Sequence, residues 1–187
     1  MALIVVGGQA KHIGKTSLLC AIIQRFVSCR WTAAKITSHV HEVADCDLVS
    51  AGSGWTICEQ RCGDSNFDTA RYLKAGAVRS LLVCAEPKNL AGACSDLQAQ
   101  ISSTANLIVE STAAATLLVP DLFLLVVNPE AQEFKISAEQ QRTRADALVL
   151  SAGEIGGDSP DTVPIFCMKN NELEPGLAAM LERSLGK

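Results

Sequence analysis

Short apolar segments alternate along the chain with segments whose apolar residues recur at helical spacing. Most of the apolar segments carry hydrophobic side chains for both faces, which is typical of parallel strands covered by helices on either side. Seven strands are predicted, at residues 2–6, 32–37, 80–85, 106–110, 122–127, 147–150 and 163–167. Helices are predicted at residues 15–28, 66–76, 89–104, 137–145 and 173–185. This alternation predicts a three-layer α/β fold, with a mostly parallel sheet of about seven strands and helices on both faces.

Residues 38–64 interrupt the alternation. They are polar and glycine-bearing, show weak periodicity, and contain many side chains of the kinds that bind ligands. We expect this stretch to form a loop over the functional site. We find no internal repeat and no low-complexity linker, and we therefore expect residues 1–187 to form a single domain.

The segment between the first strand and the first helix runs from Gly7 to Leu19 and reads GGQAKHIGKTSLL. A glycine-containing loop and a Gly-Lys-Thr triplet between a strand and a helix form the layout of a phosphate-binding loop. Gly14 would let the backbone approach a phosphate, and successive amides with the positive end of the helix favour an anion there. Lys15 would reach the outer phosphates, and the Thr16 hydroxyl would ligate Mg²⁺.

This motif predicts a P-loop NTPase domain that binds ATP or GTP with Mg²⁺. One position departs from the pattern G-x-x-x-x-G-K-[ST], because Gln9 stands where the first glycine is expected. Gly7 and Gly8 lie just upstream, so the turn could form with displaced glycines. The predicted nucleotide-binding residues are Gly8, Gln9, Ala10, Lys11, His12, Ile13, Gly14, Lys15, Thr16 and Ser17.

A phosphate loop also needs an acidic side chain at the end of a neighbouring strand, which holds or polarises the magnesium shell. Glu110 ends the segment NLIVE and is the first candidate, while Glu86 ends LLVCAE and is the alternative. We predict Lys15, Glu110 and Asp45 as catalytic residues, and Thr16 and Glu110 as ligands of Mg²⁺. Two further carboxylates, Asp64 and Asp68, are expected to cap the helix that follows them, although either could contact a ligand.

Two histidines and two cysteines in the polar stretch raise a second possibility. His39 and His41 stand two apart, and Cys58 and Cys62 stand four apart in ICEQRC. Together with Asp45 or Cys46 they could form a zinc or nickel site. The spacing is not the tight Cys-x-x-Cys of a zinc knuckle, so the alternative is a pair of polar loop histidines and two free thiols.

Composition narrows the class of protein. Hydrophobic residues make up 48% of the chain, charged residues 19%, and the net charge is −4, which is typical of a globular protein without a basic surface for nucleic acid or membrane. No run of 18 apolar residues suggests a membrane span, and the first residues do not resemble a secretion signal. We expect a cytoplasmic protein whose eight cysteines are mostly buried free thiols.

The motifs together resemble one family. GGQAKHIGKTSLL, AKITSHVH, SNFDTARYLKAGA and NLIVES are similar to segments of the molybdopterin-guanine dinucleotide biosynthesis protein B family. The segment LFLLVVNPEAQ resembles the Asn-Pro-Glu turn of the ParA/MinD-type ATPases, which belong with dethiobiotin synthetase and the metal-centre GTPases to the same dimer-prone class. The positions that match the first family are Asp68, Thr69, Arg71, Ala75, Gly76, Ala77, Val109 and Glu110.

The resemblance implies a nucleotide-binding accessory protein or slow NTPase of cofactor biosynthesis that forms a homodimer. No Asn-Lys-x-Asp follows the strand at 147–150, so the choice between ATP and GTP stays open, and residues 168–171 could contact the base. One alternative is a small-molecule kinase or ligase, with an acceptor bound by residues 38–64 and Arg71. Another is a metal-delivery GTPase that uses the histidine and cysteine side chains. A scaffold without nucleotide is disfavoured by the intact Gly-Lys-Thr.

Overall fold

The computed structural model describes residues 1–38, 45–101, 105–130, 136–151 and 163–186. Ten strands are present in these ranges: β1 (Leu3–Gly8), β2 (Thr32–Thr37), β3 (Cys46–Gly52), β4 (Trp55–Gln60), β5 (Arg79–Ala85), β6 (Leu107–Glu110), β7 (Leu122–Val127), β8 (Ala147–Leu150), β9 (Ile165–Lys169) and β10 (Glu172–Leu173). The helices are α1 (Lys15–Arg25), α2 (Asp68–Lys74), α3 (Leu90–Ala99), α4 (Ile136–Arg142) and α5 (Pro175–Ser184). Short 3₁₀ helices lie at Val27–Cys29, Pro87–Asn89 and Ala113–Thr116.

The ten strands form one sheet in the order β10-β9-β8-β7-β1-β6-β2-β5-β4-β3. The seven neighbouring strands from β9 to β5 are parallel, and β10, β4 and β3 are antiparallel additions at the two ends. The predicted parallel sheet is therefore confirmed, with three more strands than expected. Because β1 lies between β6 and β7, whatever follows β1 faces the carboxyl ends of both neighbours.

Helices cover both faces of the sheet, which confirms the predicted three layers. Side chains of β1 alternate between the two faces, as the period of a strand requires. Ile4 and Val6 pack with buried side chains of α1, α2 and α5. Leu3 and Val5 lie in the other core, which contains buried side chains of α3, α4 and the 3₁₀ helix at Ala113–Thr116.

The expectation of a loop at 38–64 is wrong for much of that stretch, because β3 and β4 form a hairpin that extends the sheet. A register shift between Leu48 and Ser50 interrupts the alternation of the strand, so the sequence shows no clean period of two. The hairpin is fixed to α3 by Asp96, which accepts hydrogen bonds from the Ser50 hydroxyl at 2.7 Å and the Trp55 indole N–H at 3.0 Å.

Several element ends differ from their predicted positions by a few residues. α1 ends at Arg25 and gives way to the 3₁₀ helix, and the last parallel strand is 165–169 where 163–167 was predicted. Residues 152–160, which lie between the last two predicted strands, are outside the described residues. None of the helices in the described ranges has the length and the apolar character needed to cross a lipid bilayer.

The packing of the hairpin on α3 generates a stability prediction. A Cβ atom at Gly92 would lie 2.8 Å from the Trp55 ring, which is closer than side chains tolerate. We expect Gly92→Val to lower the free energy of unfolding by about 1–3 kcal/mol, because overpacking forces the ring or the helix to move. The measurement is urea unfolding monitored by circular dichroism.

The matched control is Ala91→Val, at the exposed neighbouring position in the same helix. It introduces the same side chain without the ring contact. The free energy of unfolding should therefore fall only by the few tenths of a kcal/mol that helix propensity predicts. Equal losses in the two variants would contradict the packing of Trp55 on α3.

Candidate functional site

The loop between β1 and α1 has the backbone geometry that a phosphate loop requires. Gly14 adopts a left-handed conformation, with φ at 95°, and is the N-cap of α1. α1 has neither a side-chain cap nor an acidic residue in its first turn. The positive end of the helix dipole is therefore not neutralised from within the helix, which favours an anion at this point.

Lys15 lies across its own loop. Its ammonium group donates a hydrogen bond to the Ala10 carbonyl at 2.6 Å. A Cβ atom at Gly8 would lie 2.7 Å from the Lys15 side chain and 2.9 Å from that of Ile13, so the lysine can pass only because position 8 is glycine. The glycine just upstream of the expected position thus has a packing role.

The Gln9 departure has a structural explanation. Gln9 is buried, at 3% exposure, and is not among the residues with positive φ, so its backbone does not require glycine. Its backbone amide donates a hydrogen bond to the Val126 carbonyl at 2.9 Å, and its side-chain oxygen accepts one from the Asn128 backbone amide at 2.9 Å. Gln9 therefore attaches the loop to the end of β7 rather than disrupting it.

Thr112 attaches the phosphate loop at a second point, which the sequence did not predict. The Thr112 hydroxyl accepts a hydrogen bond from the Gly8 amide at 2.8 Å and donates to the Gly8 carbonyl at 3.2 Å. Thr112 lies two residues beyond the end of β6. In the sequence, the signal for this contact is a hydroxyl residue just after the acid that ends a strand, and that signal is weak.

Glu110 lies beside the phosphate loop, as the sequence suggested. It ends β6, the neighbour of β1, and only 5% of the residue is exposed. One carboxylate oxygen accepts hydrogen bonds from the Thr16 hydroxyl at 2.7 Å and the Tyr72 hydroxyl at 2.6 Å. Glu86, the alternative, is exposed at the end of β5 and pairs with Lys88.

Burial, followed by the negative charge of Glu110, raises the pKa of Tyr72 well above its usual value. Tyr72 therefore keeps its proton and remains a hydrogen-bond donor to the carboxylate at every physiological pH.

Lys35 and Asp68 complete the site. Lys35 was not predicted there, and Asp68 was predicted mainly as a helix cap that could also contact a ligand. The Lys35 ammonium lies 3.4 Å from the other oxygen of Glu110 and forms an ion pair with Asp68. Asp68 was expected to cap its helix, but the N-cap residue is Phe67, which makes no side-chain cap. The carboxylate of Asp68 instead faces the lysine, because α2 begins over the end of β2.

The pKa values of this pair support an ionised pair. Burial lowers the pKa of Lys35, but the carboxylates of Glu110 and Asp68 raise it more, so the net direction is upward. Burial raises the pKa of Asp68, but its hydrogen bond to Lys35 and the charge of Lys35 lower it more, so the net direction is downward. Both groups are therefore charged near neutral pH.

Arg71 connects α2 to α1. Its guanidinium lies 3.5 Å from Asp68 and donates to the Ser17 hydroxyl at 3.4 Å. The Arg71 side chain is 42% exposed, and that of Asp68 is 28% exposed. Both groups are therefore accessible from solvent.

Asp45 does not belong to this site, which corrects the prediction. It is exposed and precedes β3, which is the edge strand and is separated from β2 by β5 and β4. The Asp45 carbonyl accepts a hydrogen bond from the Arg61 backbone amide at 2.8 Å. This contact lies next to the first residues of β5, whereas the phosphate loop lies at the end where the parallel strands finish. The chain reverses direction in the hairpin. Asp45 therefore lies at the amino-terminal end of the parallel strands, opposite to the phosphate loop.

The predicted transition-metal site has little support. His39 and His41 lie outside the described residues, while Cys58 lies in β4 and Cys62 just after it. Among the residues that the structure describes, no group of three or more histidine, cysteine, aspartate or glutamate side chains is arranged to hold a metal ion. All eight cysteines are free thiols, as predicted, although only Cys84 and Cys94 are fully buried.

A hairpin lies beside the loop at the same edge of the sheet. β9 and β10 are joined by Asn170 and Asn171, which both have positive φ, as a type I′ turn requires. Met168 and Ser151 lie near Gly14, since a Cβ atom there would be 3.8 Å and 3.2 Å from their side chains. Contact of residues 168–171 with a base stays a prediction.

Two solved structures share this fold. LpxK from Aquifex aeolicus, in complex with ATP, aligns with a TM-score of 0.54 and 17% identity over 100% of this chain and 68% of its own. HypB from Helicobacter pylori, in complex with nickel, aligns with a TM-score of 0.58 and 14% identity over 98% of this chain and 87% of its own. No family model and no curated protein matches the sequence. The chain has the three-layer α/β fold of the P-loop NTPases, and its resemblance to one biosynthesis family is not confirmed.

The ion pair of Asp68 generates a prediction about pH. Because the folded pKa of Asp68 is lowered, its contribution to stability is present above the unfolded value near 3.8 and is lost as the pH falls through the folded pKa. We expect Asp68→Asn to be less stable than wild type at pH 6, and the difference to shrink steadily below pH 4. Urea unfolding across this range measures it.

The control is Asp64→Asn, which removes an exposed carboxylate from the same segment. It leaves the ion pair of Asp68 intact, so a pH dependence that both variants share would not come from that pair. If the Asp68→Asn difference stayed constant down to pH 2, its origin would be packing rather than the charge of Asp68.

Proposed function

We propose that this chain binds ATP or GTP together with Mg²⁺ and acts as a slow NTPase that assists the biosynthesis of a cofactor. The observation that carries the proposal is the contact of Thr16, in the first turn after the phosphate loop, with the buried carboxylate of Glu110 at 2.7 Å. A hydroxyl and a strand-ending carboxylate at this place are the donors that P-loop proteins direct at Mg²⁺.

Phosphate binding is supported by the loop itself. The left-handed Gly14 begins α1, and the first turn of that helix contains no acidic residue. Lys15 donates a hydrogen bond to the Ala10 carbonyl of its own loop, and its long flexible stem can carry the ammonium group to a phosphate oxygen. The β- and γ-phosphates of a nucleotide would thus meet one cation and a row of amides.

The residues present fit Mg²⁺. Thr16 and Glu110 supply hard oxygen donors, and Mg²⁺ prefers such ligands with several waters and phosphate oxygens completing its shell. When bound, Mg²⁺ neutralises charge that develops on the phosphates during transfer. Tyr72 has a positioning role, because its hydrogen bond at 2.6 Å holds the Glu110 carboxylate toward Thr16.

Asp68 replaces Asp45 as the second carboxylate of the proposed mechanism. It is ionised and partly exposed, and it contacts Lys35 and Arg71. Such a carboxylate can accept a hydrogen bond from an attacking water or hydroxyl group and orient it for in-line attack. Because two cations already hold Asp68, we expect turnover to be slow in the absence of a partner or acceptor.

A small-molecule kinase or ligase is the second candidate. It is favoured by the exposure of Arg71 and Asp68 beside Thr16, where an acceptor could bind. LpxK, which shares the fold, was solved in complex with ATP. The two candidates differ in their dependence on an added metabolite, since a kinase would turn over quickly only when its acceptor is present.

The remaining parts of the proposal have less support. The metal-delivery alternative rests on HypB, which was solved with nickel, and on the pattern of His39, His41, Cys58 and Cys62. The homodimer, the role in cofactor biosynthesis and the cytoplasmic location rest on the sequence and the family resemblance.

Nucleotide binding predicts a thermal shift that depends on Lys15. A ligand at a hundred times its Kd stabilises by about 2.7 kcal/mol, which corresponds to roughly 5–10 °C for a domain of this size. We expect Mg-ATP or Mg-GTP to give such a shift in wild type. Lys15→Ala should lose it, because the cation that meets the outer phosphates is gone.

Each variant is compared with its own melting temperature without nucleotide, which removes any effect on basal stability. Lys88→Ala is the control, since this exposed lysine pairs with Glu86 away from the phosphate loop. Equal shifts in wild type and Lys15→Ala would refute the phosphate loop. An absence of any shift in wild type would favour the scaffold.

A further inference from the structure

We infer that Lys35 already supplies the positive charge between the carboxylates of Glu110 and Asp68, and that Mg²⁺ therefore enters the neighbouring position at Thr16 and Glu110 with a nucleotide and not alone. This inference deepens the proposed function and rests on it for the nucleotide. It concerns whether the metal binds before the nucleotide or together with it.

The two oxygens of Glu110 face different partners. Oε2 accepts from Thr16 at 2.7 Å and from Tyr72 at 2.6 Å, while Oε1 lies 3.4 Å from the Lys35 ammonium. The same ammonium pairs with Asp68. A cation that bound Thr16 and Glu110 would thus find a second cation already between the two carboxylates.

Burial explains why a cation is needed there. Glu110 is 5% exposed, and the side chains of Lys35 and Asp68 are 27% and 28% exposed. Two carboxylates in such surroundings repel each other strongly, because the interior screens charge poorly. Lys35 offsets this repulsion within the fold, and Arg71 adds a second positive charge at 3.5 Å from Asp68.

These charges treat a free metal ion and a metal nucleotide differently. Mg²⁺ alone would add two positive charges beside Lys35 and Arg71, whose charges already balance the two carboxylates. A triphosphate brings its own negative charge, so the metal nucleotide adds no excess of positive charge. Lys35 has a flexible four-carbon stem and is partly exposed, so it can move from Glu110 toward the incoming phosphates.

The test uses Mn²⁺ alone as the probe, measured by electron paramagnetic resonance on full-length protein without nucleotide. Mn²⁺ accepts the same oxygen donors as Mg²⁺ and is visible by this method. We expect weak binding in wild type and at least tenfold tighter binding in Lys35→Met, which leaves the two carboxylates without the lysine. Lys35→Arg should bind as weakly as wild type, because it keeps the charge.

Lys88→Met is the matched control, since it removes an exposed lysine that also pairs with a glutamate. It should bind Mn²⁺ like wild type. Equal Mn²⁺ affinity in Lys35→Met and wild type would overturn the inference. If Lys35→Met does not fold, wild type decides alone, because tight binding of Mn²⁺ without nucleotide contradicts the inference, and at least tenfold tighter binding with an added nucleoside diphosphate supports it.

The inference and the proposed function fail in different ways. If wild type binds Mg-nucleotide but Lys35→Met gains no affinity for Mn²⁺, only the role of Lys35 is wrong. If Lys35→Met gains affinity for Mn²⁺ but no nucleotide shifts the melting temperature of wild type, the charge balance is right and the nucleotide proposal is wrong.

Discussion

The burial of Glu110 is the constraint on which the rest of the site depends. A carboxylate that is 5% exposed is tolerated only with hydrogen bonds and opposite charge, since burying it otherwise costs several kcal/mol. Its partners are Thr16 of α1, Tyr72 of α2 and Lys35 of β2. Three elements are therefore held in register by one side chain.

The sheet explains how these side chains meet. Glu110 pairs in register with Val6 on one side and with Lys35 on the other. Neighbouring strands of a parallel sheet direct paired residues to the same face, so Glu110 and Lys35 both face the layer formed by α1 and α2. α2 then begins with Asp68 above the end of β2 and supplies the second carboxylate. The site is a product of strand order, with β1, β6 and β2 adjacent.

This dependence on strand order separates what the sequence could predict from what it could not. The phosphate loop and Glu110 are marked by local patterns, a glycine loop before a helix and an acid that ends an apolar strand. Lys35 and Asp68 carry no such mark, because they meet only when β2 lies beside β6. The hairpin of β3 and β4 escaped prediction because a bulge after Leu48 breaks its alternation. The same hairpin reverses the chain, so Asp45 lies at the end of the sheet opposite to the phosphate loop.

Two of the structures that share the fold were solved with different ligands, ATP in LpxK and nickel in HypB. A shared fold does not decide between such ligands, so the choice depends on the donors in the site. Beside the phosphate loop of this chain, the structure brings together the oxygen donors of Thr16, Glu110 and Asp68. Oxygen donors suit Mg²⁺, whereas nickel is bound more readily by imidazole and related nitrogen donors. Cys58 in β4 and Cys62 just after it belong to no metal-binding cluster among the described residues. The chemistry of the donors thus favours a metal nucleotide over a transition metal at this site.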